Sequence, residues 1–259
     1  MQLHPDWLVP DWPAPAHIQA VFTTRAGGVS QPPYDSLNLG DHVGDDPNDV
    51  AINRARLAQA LGVQPVYLQQ VHGTVLVRLP TTEEHSKAQR MCADAVITEQ
   101  AHQVGTIMVA DCLPVLFTNR AGGFVAAAHA GWRGLAGGVL RQTIQQISAI
   151  HASEIIAWLG PCIGPMAFEV GPEVREAFVA QDPRAAAHFY AQTSQSQHAP
   201  QKYLADLAAL ARDELGDLGV STFGNDSSAP WCTVLNPSRF FSHRRDRISG
   251  RMAACIWMV

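Results

Sequence analysis

Short apolar runs separated by polar turns dominate the chain, and this pattern predicts more strands than helices. Runs of about four to eight residues rich in β-branched side chains are typical of strands. Several such runs follow one another without a helix between them, which favours mixed α+β layers over strict β-α-β alternation. The predicted strands cover residues 20–24, 66–71, 74–79, 95–98, 106–110, 115–118, 124–128, 155–159, 231–235 and 252–258.

Apolar residues recur at helical spacing in three segments, which predicts helices over residues 47–61, 135–150 and 203–215. An aspartate just before residue 47 can cap the first of them. Residues 181–201 are rich in Ala, Gln, Ser and His and are the least core-like part of the chain. We expect a surface helix there, followed by a loop or flexible insertion.

The length of 259 residues and the 47% apolar content are sufficient for one large core. No fixed-period repeat, low-complexity tract or charge block marks a boundary, so we expect residues 1–259 to form one domain. No heptad pattern or other interface signal stands out, and a monomer is the default expectation.

Charge and hydropathy exclude several classes of protein. A formal net charge of -5 argues against a general nucleic-acid-binding surface. The first residues lack a basic patch followed by an apolar run, and no stretch approaches about 18 apolar residues, so we expect neither a secretory signal nor a membrane span. Five scattered cysteines without a C-x-x-C pair favour free thiols in a reducing compartment. We therefore expect a cytoplasmic protein.

Three residues that can bind a metal each follow an apolar run: His72, Cys112 and His129. Taken singly, a histidine or cysteine in such a place is more often a packed or hydrogen-bonded core residue. Together they form a borderline-soft ligand set that suits Zn²⁺, and three protein ligands leave the fourth position open, as in catalytic zinc sites. Because they lie far apart and match no compact zinc motif, spacing alone does not establish the site.

Several arginines beside small-residue turns indicate an anionic substrate. Arg25 precedes two glycines whose backbone N–H groups can form an anion nest, and Arg133 follows His129 by four positions. Arg245 lies in S-H-R-R-D, a run for which a solvated surface is the default interpretation and an anion contact the alternative. Asp111, next to Cys112, is either a general base or partner of the metal site, or a turn residue before Pro114.

An ordered set of motifs closely resembles the YfiH/YlmD family, also called laccase-domain or polyphenol-oxidase-type proteins. The match spans residues 22–257, nearly the whole chain. In that family the metal ligands are the His of Q-V-H-G, the Cys of A-D-C and the His of H-A-G-W-R-G, which correspond here to His72, Cys112 and His129. The motifs are T-T-R-A-G-G-V-S, S-L-N-L-G, Q-Q-V-H-G, A-D-A-V-I-T, A-D-C-L-P-V-L-F, A-A-H-A-G-W-R-G, L-G-P-C-I-G-P, F-E-V-G and F-S-H-R-R-D.

The resemblance implies a layered αββα sandwich of mixed sheets flanked by helices, a fold shared with cysteine hydrolases. It also implies a purine nucleoside phosphorylase that cleaves adenosine, inosine and methylthioadenosine with phosphate to free base and (methylthio)ribose 1-phosphate, with adenosine deaminase side activity. His243 departs from the family, which usually has Tyr there. On this hypothesis Arg25, Asn38, Arg133 and Arg245 contact the substrate, and Asp111 is a possible base.

Three alternatives remain open at this point. Laccase chemistry with copper in the same site is one, although a coupled copper centre is built from His-x-His pairs and the 11 histidines here include none. A hydrolase that edits peptidoglycan precursors is the second, with Cys112 as nucleophile rather than ligand. A module that only stores metal is the third. The H-x-E and P-C-x-x-C signature of zinc deaminases is absent.

Overall fold

Two β-sheets packed face to face form the centre of the protein, in a computed structural model that describes residues 2–79, 91–150, 154–193 and 200–259. The strands, in chain order, are β1 (Ile18–Phe22), β2 (Pro65–Tyr67), β3 (Leu76–Arg78), β4 (Ala95–Thr98), β5 (Val104–Val109), β6 (Leu113–Asn119), β7 (Val125–Ala130), β8 (Ile155–Leu159), β9 (Glu169–Val170), β10 (Phe189–Ala191), β11 (Tyr203–Ala205), β12 (Ser221–Gly224) and β13 (Met252–Met258).

The sheets are mixed. A four-stranded sheet has the order β1-β13-β5-β2, with β2 parallel to β5 and the other pairs antiparallel. A six-stranded sheet has the order β12-β8-β6-β7-β4-β3, with parallel pairs only at its two edges. A small antiparallel sheet, β10-β11-β9, lies apart from these two.

The described residues form six helices, of which the first five pack on the outer faces of the two large sheets and the sixth borders a cavity. They are α1 (Pro47–Leu61), α2 (Trp132–Ala136), α3 (Val139–Ser148), α4 (Pro172–Val179), α5 (Leu207–Asp217) and α6 (His243–Asp246), with 3-10 turns at Pro183–His188 and Ala229–Trp231. Within the described ranges, none of these helices has the length and apolar character needed to cross a bilayer.

Alternation of side chains along the strands builds three cores. Phe22 and Ile107 of the four-stranded sheet pack against Leu116 and Trp158 of the six-stranded sheet. The outer face of the four-stranded sheet packs on α1, and that of the six-stranded sheet packs on α3, α4 and α5. The layers are therefore ordered helix, sheet, sheet, helix, and the predicted α+β class is confirmed.

The helix predicted over residues 135–150 is wrong, because the chain forms α2 and α3 instead of one helix. Gly138, between them, has φ +87°, in the left-handed region that an α-helix does not use. The break separates α2, which follows β7 along the chain, from α3. The apolar spacing matches α3 but does not register the two glycines that separate it from α2.

Three other predictions need correction. The helix over 203–215 starts only at Leu207, because Tyr203–Ala205 pairs with two neighbouring strands and Asp206 caps the helix. Residues 231–235 form no strand, since the chain makes a 3-10 turn and one isolated bridge between Cys162 and Cys232. The segment 181–201 contains a 3-10 helix and the strand β10, and its residues 194–199 lie outside the described residues.

Substitution of glycine by alanine should have opposite effects on the free energy of unfolding at Gly138 and at Gly216. At Gly138 a Cβ has room, but its positive φ disfavours any side chain, so Gly138→Ala should lower the free energy of unfolding by about 1–2 kcal/mol. Gly216 lies in α5 and a Cβ there meets nothing within 4 Å, so Gly216→Ala should raise it by about 0.5–1 kcal/mol. Urea unfolding of both variants measures this. Equal effects would contradict the assigned helix break.

Candidate metal centre

Three side chains from separate parts of the chain converge at one end of the layer between the large sheets. His72 lies in the loop after β2, Cys112 lies in the connection between β5 and β6, and His129 lies near the end of β7. One potential ligand atom from each lies within 4.8 Å of the others. The structure therefore brings together all three residues that the sequence indicates as ligands.

Strand register places these residues side by side. β6 pairs with β7 so that Leu113 lies opposite Ala130 and Pro114 opposite His129, which puts Cys112 next to the end of β7. The chain passes from the four-stranded to the six-stranded sheet between β5 and β6, and Asp111 makes the sharp turn with φ +86°. The cysteine is thus presented at the edge shared by the two sheets.

The distances fit donors around one ion. The sulfur of Cys112 lies 3.7 Å from Nε2 of His72, and the rings of His72 and His129 are 4.7 Å apart between centroids. Ligands bound at about 2.0–2.3 Å to a tetrahedral zinc lie roughly 3.5 Å from one another. Among the described residues, this is the single cluster of three metal-competent side chains. The donor set therefore fits one transition-metal ion and not a centre of several coppers.

A fully buried carboxylate, Asp94, fixes the ring of His129 and the backbone at His72. Its Oδ1 accepts hydrogen bonds from Nδ1 of His129 at 2.8 Å and from the backbone N–H of His72 at 2.9 Å. Its Oδ2 accepts from the backbone N–H groups of Gly73 at 2.7 Å and Val71 at 3.2 Å. The contact to Nδ1 leaves Nε2 of His129 for the cluster, which is how histidine ligands are commonly fixed.

Sequence reasoning missed Asp94. It lies in the motif A-D-A-V-I-T, directly before the fully buried strand β4. A charged residue at the entry to such a strand is rarely buried without a partner. That position is the one signal in the sequence that could have indicated its role.

Charges within the cluster favour the metal-binding form of the cysteine. Burial acts to raise the pKa of the Cys112 thiol, but the charge and hydrogen bonds of His129 and His72 outweigh it and lower that pKa to about 6. Burial acts to lower the pKa of His129, but the thiolate and the Asp94 carboxylate raise it to about 9. The thiolate that a metal requires is thus stable at neutral pH.

Close approach to the cluster requires glycine at position 131. A Cβ on Gly131 would lie 2.9 Å from Cδ2 of His72 and 3.0 Å from the sulfur of Cys112. Gly131 also precedes the first residue of α2. The glycine therefore allows α2 to start directly beside the two side chains.

The cluster opens onto a cavity of about 440 Å³, within the size range of small-molecule sites. The apolar residues of its lining are Met108, Val109, Trp132, Ile163, Phe168 and Leu207, among others. The cationic or polar residues of its lining include His42, Arg133, His243, Arg244, Arg247 and Arg251. A ligand with an apolar ring and an anionic group matches this mixed lining.

Arg133, predicted to contact the substrate, and Asp111, predicted as a possible base, both line this cavity. The guanidinium of Arg133 lies 4.3 Å from the ring centroid of Trp132. The carboxylate of Asp111 accepts from the hydroxyl of Thr233 and from the backbone N–H of Arg244, both at 2.6 Å. Because both oxygens are engaged, we assign Asp111 a positioning role in place of the expected base.

Three residues expected to contact substrate, Arg25, Asn38 and Arg245, are not among the residues that line the cavity. Arg25 pairs with Asp35 at 3.0 Å and donates to backbone carbonyls. Arg245 donates to the carbonyls of Thr233, Val234 and Phe240. Asn38 is buried and bonds within its own turn and to the backbone N–H of Arg251. In the described structure these side chains hold the loops around the site, and their direct contact with a substrate stays a prediction.

Comparison with known proteins agrees with these features. Residues 19–259 match the family described as multi-copper polyphenol oxidoreductase laccase. "Purine nucleoside phosphorylase YfiH" of Escherichia coli K12 is 51% identical, over 97% of this chain and 98% of that protein. "Purine nucleoside phosphorylase PA4543" of Pseudomonas aeruginosa is 47% identical, over 97% of this chain and 98% of that protein.

Solved structures extend the likeness to the fold. Neisseria meningitidis protein NMB0706 has a TM-score of 0.87 and 46% identity, covering 98% of this chain and 99% of that chain. YlmD from Geobacillus stearothermophilus has a TM-score of 0.85 and 32% identity, covering 100% of this chain and 98% of that chain. The chain therefore belongs to the laccase-domain family, the family of YfiH, as its motifs predict.

Proposed function

We propose that this protein is a zinc-dependent purine nucleoside phosphorylase. The observation that carries the proposal is the cluster of His72, Cys112 and His129 beside a cavity that is part apolar and part arginine-lined. Relatives named purine nucleoside phosphorylase at 51% and 47% identity support it. The substrates we propose are adenosine, inosine and methylthioadenosine, with inorganic phosphate as the second substrate.

In the proposed reaction, an oxygen of hydrogen phosphate forms a bond to C1′ of the ribose, and the bond from C1′ to the purine nitrogen breaks. The electron pair of that bond leaves with the base, which takes the proton that the phosphate loses. The products are free purine and ribose 1-phosphate. The apolar wall, with Trp132 and Phe168, offers a surface for the purine, and the arginines offer one for the phosphate.

We assign metal binding to Nε2 of His72, the sulfur of Cys112 and Nε2 of His129, with Asp94 as the residue that fixes the ring of His129 and the backbone at His72. When bound there, zinc supplies a Lewis acid beside the reacting groups. Copper fits the same donors and would bring the oxidase chemistry of the family's description. We propose zinc because two histidines and one cysteine are a ligand set found in catalytic zinc sites. The coupled copper centre of a laccase would instead need ligands for several ions.

A cysteine hydrolase acting on peptidoglycan precursors is the second candidate. Asp94, His129 and Cys112 are in the order of an acid, a base and a nucleophile, and the thiol has a low pKa. Nε2 of His72 also lies beside the sulfur of Cys112. This second histidine favours metal binding over the hydrolase, because a metal needs a further donor and a nucleophilic cysteine does not. We also propose that residues 1–259 form a single domain with the cysteine hydrolase fold, which the helix, sheet, sheet, helix order of the layers supports.

Metal and activity should disappear together in Cys112→Ala. Protein purified without added metal should hold about one zinc per chain, and should release free base from adenosine and inosine only with phosphate. Removing a direct ligand should lower both metal content and base release at least about 100-fold. Elemental analysis and chromatography of products measure this, and inosine formed from adenosine would reveal deaminase activity. Cys92→Ala, at an exposed cysteine, is the matched control.

Metal-bound protein that leaves adenosine and inosine intact would overturn the phosphorylase. Zinc-free protein that retains full phosphorolysis would overturn the role of the metal. Copper at one ion per chain, with oxidase activity, would favour the laccase alternative.

Alkylation by iodoacetamide distinguishes a ligand from a nucleophile. In metal-loaded protein Cys112 should resist alkylation, while the exposed Cys92 reacts and acts as an internal control. After treatment with a chelator both should react, because the thiolate is then free. Peptide mass mapping measures each site. Rapid alkylation of Cys112 with metal retained would favour the hydrolase.

Asp94→Asn should weaken zinc binding about 10- to 100-fold, because the amide cannot accept all the hydrogen bonds that fix His129 and the loop at His72. Competition with a chromophoric chelator measures the affinity, and circular dichroism checks the fold. Asp213→Asn is the matched control, since Asp213 also contacts a histidine, His188, at 2.7 Å but on the surface. Unchanged zinc affinity in Asp94→Asn would refute the orienting role.

A further inference from the structure

Four arginines line the cavity without a carboxylate partner: Arg133, Arg244, Arg247 and Arg251. Within the described ranges, none of them has a carboxylate oxygen within the 4.0 Å of a salt bridge. Arginines elsewhere commonly do, as in the pairs Arg25–Asp35, Arg54–Asp41, Arg120–Glu154 and Arg245–Asp246. An acidic chain thus concentrates unpaired positive charge at one place.

Three of these arginines come from α6 and the turn that leads into β13. The backbone N–H of Arg244 is held by Asp111, and its guanidinium donates to the carbonyl of Glu169 at 2.9 Å. Arg247 ends α6 with φ +64°, and its backbone N–H donates to the carbonyl of His243. The backbone contacts fix this segment, so the three side chains are carried by a defined turn.

Arg251 is held in place before any ligand binds. Its NH1 donates to the carbonyls of Ser249 at 2.9 Å and Gly250 at 3.1 Å, and its backbone N–H donates to Asn38 at 2.8 Å. Its stem packs against Gly40, where a Cβ would lie 2.8 Å from Cγ of the arginine. Within the described part of the chain, Nε and NH2 have no hydrogen-bond acceptor, and this is the edge that binds oxyanions in a bidentate manner.

Asp111 connects this arginine segment to the metal centre. It is the carboxylate that lines the cavity in the described residues, but Thr233 and Arg244 occupy both of its oxygens. In the described structure, neither oxygen of Asp111 lies within 4.0 Å of a guanidinium nitrogen of the cavity arginines. Its neighbour in the chain, Cys112, belongs to the metal cluster.

We propose that the free edge of Arg251, together with Arg247 and Arg244, forms a phosphate subsite beside the metal centre, and that Asp111 positions it. The inference rests on the proposed phosphorylase function and names the residues that bind the second substrate. A phosphate offers several strong acceptor oxygens, which several guanidinium groups can share. The subsite holds the phosphate while the apolar wall holds the purine.

Steady-state kinetics on the zinc-loaded enzyme test the subsite, with phosphate varied at saturating inosine and constant ionic strength. Arg251→Gln should raise the KM for phosphate at least about 10-fold, because a charge-assisted contact is lost, while the KM for inosine and the zinc content stay within about 2-fold. Arg251→Lys should restore part of the loss. Arg247→Gln, at an exposed position, should raise the KM for phosphate in the same direction even if Arg251→Gln folds poorly.

Arg56→Gln is the matched control, since Arg56 is exposed on α1 and donates only to the carbonyl of Gly27 in the described structure. It should leave both KM values unchanged. An unchanged KM for phosphate in Arg251→Gln and Arg247→Gln, with base release intact, overturns the subsite.

The positioning role of Asp111 is tested by comparing the KM for phosphate of two substitutions at this residue. Asp111→Asn keeps an oxygen for the N–H of Arg244, and the hydroxyl of Thr233 can turn to accept from the amide. It should therefore raise the KM for phosphate less than Asp111→Gly does, since glycine accepts the positive φ but makes neither hydrogen bond, and zinc content should be unchanged in both. Equal effects of the two substitutions, or a change in the KM for inosine alone, would refute the positioning role.

Calorimetric titration with inorganic phosphate separates the inference from the function on which it rests. Binding to wild type that Arg251→Gln abolishes, without any nucleoside cleavage, would retain the subsite and reject the phosphorylase. Nucleoside cleavage by wild type, with phosphate binding equal in both proteins, would retain the phosphorylase and reject the subsite. Absence of phosphate binding in wild type rejects the subsite outright.

Discussion

The buried carboxylate of Asp94 is the constraint on which the candidate site depends. A buried charge is costly unless hydrogen bonds and an opposite charge compensate it, and Asp94 receives three backbone N–H donors and the ring of His129. Those same contacts fix the backbone of the loop at His72 and the ring of His129. The hydrogen bonds that compensate the charge of Asp94 thus also position the proposed ligands His72 and His129.

The strands most completely buried are the ones that the sequence predicts best. β6, β7 and β13 are buried along their length and appear as continuous apolar runs, which neither a loop nor a surface helix would show. The edge strand β12 and the short strands β9–β11 were missed because their side chains are partly exposed and their pairing is decided by distant segments. The helix break at Gly138 depends on a single dihedral angle, which apolar spacing does not encode.

The sequence predicts the candidate metal ligands better than it predicts the roles of the arginines. Motif resemblance identified His72, Cys112 and His129, although their separation in the chain conceals their convergence. The role of an arginine could not be read in the same way, because it depends on which acceptors the fold places beside it. Arg25 and Arg245 find backbone carbonyls and a carboxylate there, whereas the cavity arginines lack a carboxylate among the described residues.

The short connection between β5 and β6 gives the proposed site its geometry. At Asp111 and Cys112 the chain turns from one sheet to the other, and the positive φ of Asp111 separates the directions of two successive side chains. One side chain enters the metal cluster, and the other holds the segment that carries Arg244. The peptide unit between Asp111 and Cys112 therefore sets the position of the proposed metal site relative to the proposed phosphate subsite. The hydrogen bond from Arg244 to Asp111 therefore holds the separation of the two proposed sites, because Asp111 is fixed between two sheets that share a packed core.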